Sequence, residues 1–271
     1  MGSEMCIRDR SDAVSRFGRF ISMTYCLGIA LSEGIVFCSD SRTNAGPDRV
    51  NTYSKMHSFF FEEDRSITLL SAGNLATSQS VIAKLNRDLE GGESITMRSG
   101  RYVSDVADYV GELLVAARTR YASEEGPDAG LDASASFIIG GQIAGQEPEL
   151  YMVYPEGNHI AASSSQPYLQ IGETKYGKPI LDRILQADTE PETAMRCAIV
   201  SVDSTMRSNA TVGPPIECLF YRRDSLLKWD KYVQLDDDHP YLTKIRKSWD
   251  ENIKKAFDQL PALDQSSEVP G

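Results

Sequence analysis

Basic charge and histidine are what this chain has little of. Its 271 residues carry 28 Lys plus Arg against 39 Asp plus Glu, a formal net charge of −11, and three histidines. Nucleic-acid binding draws most of its affinity from clustered Lys and Arg, so a nucleic-acid partner is not expected. His57, His159 and His239 are isolated, which argues against a metal site, and nothing indicates a cofactor. No run approaches ~18 consecutive apolar residues, so no helical membrane span is expected. Internal repeats and low-complexity segments are absent as well. Of five cysteines, Cys6 falls in an atypical leading stretch. Cys26, Cys38, Cys197 and Cys218 lie in apolar runs at wide spacings without a Cys-x-x-Cys, and read as small buried hydrophobes of a reducing, cytoplasmic setting. The length suits one domain with a large core.

The first residues look unlike the rest. Met1 to Arg10 has neither the apolar segment of a signal peptide nor any periodicity. Gly2-Ser3-Glu4-Met5-Cys6-Ile7-Arg8-Asp9 is what an adapter used in sequencing libraries encodes when translated in frame, and Ser11 to Ser22 then read as upstream sequence or a short propeptide. Residues 1–22 are therefore set apart from a single domain over 23–260, and 261–271 is expected to be a disordered tail. Met23 becomes the favoured start, and its removal, which a small second residue permits, exposes Thr24. A threonine hydroxyl is a poor nucleophile unless a base takes its proton, and a free α-amino group on the same residue can do so. That amine ordinarily titrates at about 7.7 to 8.0, so a useful fraction is neutral near physiological pH.

Periodicity divides the chain into blocks. Residues 24–31 and 35–42 read as strands closed by Ser32-Glu33-Gly34, and a three-residue loop would pair Thr24 with Arg42 and Cys26 with Asp40, placing Thr24, Asp40 and Arg42 on one face. A two-residue loop would send Asp40 to the opposite face. Strands are expected at about 53–61 and 66–72, then two helices carrying Leu75, Ile82 and Leu85, and Val103, Val106, Val110 and Leu114. Strands return at 134–143, 149–154 and 158–162. Helices follow at 175–185 and from Thr189, whose hydroxyl would cap the second in a capping box with Glu192. Strands at 215–221 and 225–234 precede a terminal helix with Leu242, Ile245, Trp249, Ile253 and Phe257 on one stripe, a pattern of core or subunit contact. Blocks of strands separated by helix pairs suit antiparallel sheets covered on their outer faces, an α+β sandwich.

With these elements in place, the chain resembles the proteasome β-subunit superfamily of N-terminal nucleophile hydrolases, and within it the bacterial ancestral β-subunit group called Anbu. The resemblance runs from Met23 to about Leu235. It is carried by Thr24 after Met23, by Ser39-Asp40-Ser41-Arg42-Thr43-Asn44, by Lys55, by Ser71-Ala72-Gly73-Asn74-Leu75-Ala76, and by Ser201-Val202-Asp203-Ser204-Thr205-Met206-Arg207-Ser208-Asn209. Each motif is weak alone, and their order and spacing together are specific. The resemblance implies a four-layer αββα sandwich and a set of roles. Thr24 would be the nucleophile with its own amine as base, Lys55 would favour the alkoxide and the neutral amine, and Asp40 would hold Lys55 charged and oriented. The Gly73 N–H would face the developing oxyanion. Taken singly, Lys55 reads sooner as a solvated strand lysine and Asp40 as a turn carboxylate, Gly73 can be no more than a strand end, and Arg42 equally holds the hairpin or touches substrate.

Two departures accompany the likeness. Gly172-Glu173-Thr174 stands where such subunits usually carry Gly-Ser-Gly, and an accessory aspartate becomes Ser208 or Asn209. The implied activity is threonine-type hydrolysis of peptide or peptide-like amides through an acyl-enzyme, in a self-assembled ring or helical stack. A non-hydrolytic scaffold of the same fold and an amidase for a non-peptide amide are the alternatives that the sequence leaves open.

Overall fold

A computed structural model describes residues 24–44, 50–91, 95–124 and 132–262. The expectations for residues 1–23 and for the tail past 262 lie outside these.

The first sheet is built from β1 (Tyr25–Leu31), β2 (Gly34–Asp40), β10 (Tyr168–Gly172), β11 (Ile216–Arg222) and β12 (Lys231–Leu235), in the order β10-β1-β2-β11-β12. The second contains β5 (Met56–Phe61), β6 (Arg65–Gly73), β7 (Ala135–Ile143), β8 (Glu149–Val153) and β9 (His159–Ala161), in sequence order. Every pairing is antiparallel. A separate ribbon, β3 (Arg42–Asn44) with β4 (Val50–Thr52), projects after β2.

Strand alternation explains the layering. Tyr25, Leu27, Ile29, Val36, Cys38 and Cys218 share one core cluster with residues of α3 (Lys178–Ile184) and α4 (Pro191–Ser208). The intervening Cys26, Ile35, Phe37 and Leu219 point the other way and meet Leu70, Ala72, Ile138 and Leu150 of the second sheet. On that sheet's outer face Ile67, Leu69, Phe137 and Ile139 pack with α1 (Leu75–Asp88) and α2 (Val103–Glu124). The result is the expected αββα sandwich. Each fully buried Leu, Ile or Phe contributes about 1.5–3 kcal/mol to holding the layers together. Two glycines make room for large side chains of the facing sheet: a Cβ on Gly28 would lie 2.8 Å from Leu150 Cδ1, and one on Gly140 would lie 2.9 Å from Phe37 Cζ. All four described cysteines are free and buried, as small hydrophobes should be.

Several sequence expectations need correction. The β1–β2 turn has two residues, Ser32 and Glu33, because Leu31 pairs with Gly34 and Cys26 with Ser39. Thr24 is therefore not opposite Arg42, which instead pairs with Thr52 in the ribbon. Glu190, not Thr189, precedes the first turn of α4, and it caps without a side-chain bond. The Thr189 hydroxyl accepts from the Gln186 N–H at 2.8 Å, a local turn bond that competes with capping. Strand β10 was not anticipated, although Tyr168-Leu169-Gln170-Ile171 alternates as an edge strand should. Helix α5 (Pro240–Asp258) buries Leu242, while Ile253 and Phe257 farther along the same stripe are exposed.

Candidate active site

Thr24 opens β1 at one end of the sandwich and is only 6 % exposed. Tyr25 faces the α3/α4 side, where its hydroxyl lies 2.7 Å from Ser201 Oγ, and Cys26 faces the second sheet, its Sγ donating to the Ser71 carbonyl at 3.6 Å. Alternation then aims the Thr24 side chain between the sheets, with Cys26. The Thr24 carbonyl accepts from the Glu173 N–H at 2.7 Å, just past the end of β10.

The two-residue turn was expected to carry Asp40 away from this place, yet Asp40 sits in it. Because the Thr24 carbonyl points toward β10, the trans peptide turns the Tyr25 N–H toward β2. At the last position of β2, the Asp40 carboxylate bends round the strand end and takes that N–H at 3.0 Å on Oδ1. Strand parity fixes where a Cβ points, but a terminal side chain is free of the ladder beyond it. Asp40 also accepts the Gly213 N–H at 3.0 Å on Oδ2 and binds Lys55 Nζ at 2.5 Å on Oδ1. Both partners of this ion pair are buried. Burial pushes the Asp40 carboxyl above its ordinary range, while Lys55 and the two backbone donors pull it back. Lys55 is supplied by the opposite sheet, its carbonyl accepting the Ser71 N–H at 3.0 Å beside the start of β5.

Gly73 ends β6 at the same end of the sandwich, with φ of +100°. A Cβ there would lie 2.5 Å from the Ser134 carbonyl oxygen, so the corner requires glycine. The Asn74 N–H donates to that same oxygen at 2.8 Å, and the Asn74 side chain caps α1 by accepting the Thr77 N–H at 3.1 Å. Since Asn74 and Ser134 form a hydrogen-bonded pair, the preceding Gly73 occupies the alternate kind of position. Its N–H turns away from β7 and toward the β5 side, where Lys55 stands.

Arg42 does not reach this group directly. Its Nη1 donates to the Ala210 carbonyl at 2.6 Å, and its guanidinium fills the space beside Gly213, where a Cβ would meet Cζ at 2.2 Å. The Ser41 and Arg42 N–H groups both donate to the Gly213 carbonyl, at 3.1 and 3.2 Å. The loop after α4 thus binds Arg42, Asp40 and, through Asn209 Nδ2 to Glu173 Oε2 at 3.0 Å, the residue opposite Thr24.

Glu217 was missed by the sequence reading. It is buried on the inter-sheet face of β11, accepting from Ser41 Oγ at 3.2 Å and from the Tyr232 hydroxyl at 2.7 Å. Its signal was a lone carboxylate within Ile216-Glu217-Cys218-Leu219-Phe220. Ser39, across the ladder from Glu217, has a buried hydroxyl without a partner, as does His57 Nε2. Among the described residues, no three His, Cys, Asp or Glu side chains gather as a metal site, and no helix is long and apolar enough to cross a membrane.

A family profile described as "Proteasome subunit" matches residues 23–220. Among solved structures, the chain is similar to Anbu, the ancestral β-subunit, from Yersinia bercovieri: 41 % identity, 90 % of this chain and 100 % of that one, TM-score 0.83. It is likewise similar to the Anbu complex of Pseudomonas aeruginosa, described as a helical assembly, at 42 % identity over 90 % and 100 % of the two chains and a TM-score of 0.85. Anbu from Hyphomicrobium sp. strain MC1 matches at 36 % identity over 89 % and 100 %, with a TM-score of 0.80. No curated protein matches the chain.

Proposed function

Since the chain belongs to the proteasome-subunit family, in its Anbu group, we propose that it is a threonine-type amide hydrolase acting on peptide or peptide-like bonds from an N-terminal Thr24. The observation that carries this reading is the buried Lys55–Asp40 pair, tied by Asp40 to the first peptide unit after Thr24. A buried ion pair is a weak source of stability, so its presence here calls for a role beyond holding the fold.

Thr24 Oγ attacks the substrate carbonyl carbon while the neutral α-amine takes the hydroxyl proton. The ammonium of Lys55 favours the alkoxide and disfavours a second positive charge on the amine. The carbonyl electrons move onto oxygen, which the Gly73 N–H receives, an interaction typically worth about 3–4 kcal/mol. Collapse breaks the carbon–nitrogen bond, the α-ammonium passes its proton to the departing amine, and an ester on Thr24 remains. Water, deprotonated by the Thr24 α-amine, attacks that ester; the acid departs and the proton returns to the threonine oxygen. The helical assembly described for the Pseudomonas relative supports a homo-oligomer for this chain too.

Intact mass spectrometry after exposure to a β-lactone tests the reading. Protein beginning at Thr24 should gain one acyl group per chain, and Thr24→Ala should gain none while losing at least about 100-fold of any amidase activity. Unchanged hydrolysis by Thr24→Ala rejects the proposal.

A further inference from the structure

Glu173 directly opposes Thr24 across the β1–β10 ladder, extending the register in which Tyr25 pairs with Gly172. The Glu173 N–H to Thr24 carbonyl bond of 2.7 Å makes this a hydrogen-bonded pair, in which a residue's own nitrogen and oxygen both face the neighbouring strand. The α-nitrogen of Thr24 therefore lies on the Glu173 side of β1. The Glu173 side chain is held there, 12 % exposed, with Oε2 on Asn209 Nδ2 at 3.0 Å and Oε1 3.3 Å from Lys175 Nζ. Asn209 is fixed in turn: its N–H donates to the Thr205 carbonyl at 2.8 Å, and its Oδ1 accepts the Thr211 N–H at 3.0 Å.

The charges around the Thr24 nitrogen come from three directions. From β2 and the start of β5, Asp40 and Lys55 form a closed pair whose charges largely cancel at a distance. From the segment after β10 come the Glu173 carboxylate and Lys175, whose side chain is 63 % exposed and whose charge is screened by water. From the loop after α4 comes Asn209, which is neutral. Glu217, the other buried carboxylate at this end, lies on β11 beyond β2 and is held by the Ser41 and Tyr232 hydroxyls, so Glu173 is the shielded carboxylate on the β10 side of Thr24.

We infer that Glu173, oriented by Asn209, is a positioning residue that receives the α-ammonium of an N-terminal Thr24 and sets the pH above which that amine is free to take the hydroxyl proton. The inference rests on the proposed nucleophile. A carboxylate favours the charged amine, so it moves the working range upward, whereas Lys55 acts in the opposite direction. An opposite charge within about 4–6 Å shifts a titration by about 1–3 units.

The test follows acylation of Thr24 by a β-lactone, read by intact mass, from mildly acidic to alkaline pH, on protein whose first residue is verified as Thr24. Glu173→Gln keeps the amide contact to Asn209 and should move the acid limb of the rate profile down by about one pH unit. Glu173→Asp should retain most of the native limb, which a merely structural role would not predict. Superimposable limbs for native and Glu173→Gln protein, both acylated, overturn the inference and leave the nucleophile standing. Absence of acylation of the native protein at every pH overturns both.

Discussion

Both ends of the sandwich are sealed by buried polar groups, but with different chemistry. At the end away from Thr24, Gln142 carries the closure: Nε2 donates to the Gln146 carbonyl and to Asp224 Oδ1, each at 2.6 Å, and Oε1 accepts from the Tyr221 hydroxyl at 2.7 Å and the Asp224 N–H at 2.8 Å. The carboxylates there keep their side chains largely in water: Asp224, Glu147, which pairs with Arg223, and Asp64, which pairs with the buried Arg65 guanidinium at 2.7 Å. At the Thr24 end, Asp40, Lys55 and Glu217 are buried, Glu173 is nearly so, and Ser39 Oγ and His57 Nε2 lack partners. A satisfied network whose carboxylates reach water rigidifies; shielded carboxylates and orphaned atoms cost stability unless they serve chemistry. The contrast is what the proposed function requires of the Thr24 end.

Breaking the charged end should cost most. Lys55→Met removes one member of a buried pair and is expected to lower stability by about 3–5 kcal/mol in urea unfolding, because Asp40 is left uncompensated. Adding Asp40→Asn should recover part of that loss, and a double-mutant cycle showing no coupling would contradict the pair's closeness. At the opposite end, Gln142→Leu removes a partner of the Tyr221 hydroxyl and of the Asp224 N–H, for an expected loss of about 1–3 kcal/mol. The acylation profile of Thr24 should not move; a changed profile would mean that the two ends are not independent.

The smallest effect is a pH slope. Burial lowers the His57 imidazole below its ordinary value, with Glu217 opposing weakly. As pH falls through about 6.5, the unfolded chain takes up the proton first, so the contribution of neutral His57 is present above that value and declines below it, down to the folded titration point. Melting temperature measured against pH should show this acid-side decline, and His57→Phe should flatten it.

Much of the layering was legible because period-2 and period-3.6 patterns survive in the individual segments: the pairs Leu75–Leu85 and Val103–Leu114 announced α1 and α2 without help from tertiary contacts. Asp40, Lys55 and Gly73 were legible only through the family likeness. Single residues announce no partner, and the 2.5 Å contact between Asp40 and Lys55 joins two sheets. The turn length was misread because Gly34 looks like a loop residue; its φ of +145° is tolerated inside β2, and a Cβ would lie 2.0 Å from the Tyr221 carbonyl oxygen. Glu173 and Asn209 were marked as departures, but their contact spans 36 positions and emerges only when β10 and α4 end side by side.

The first peptide unit after Thr24 is gripped from both sides, its oxygen by Glu173 and its nitrogen by Asp40. Chain heads ordinarily fray. If Thr24 leads the mature chain, as proposed, its Cα is held in place and only rotations about its own Cα–C, N–Cα and Cα–Cβ bonds stay open, so part of the ordering entropy of a liberated terminus is spent during folding rather than when a reactant arrives. A freshly exposed threonine would need no rearrangement of its neighbours to be ready.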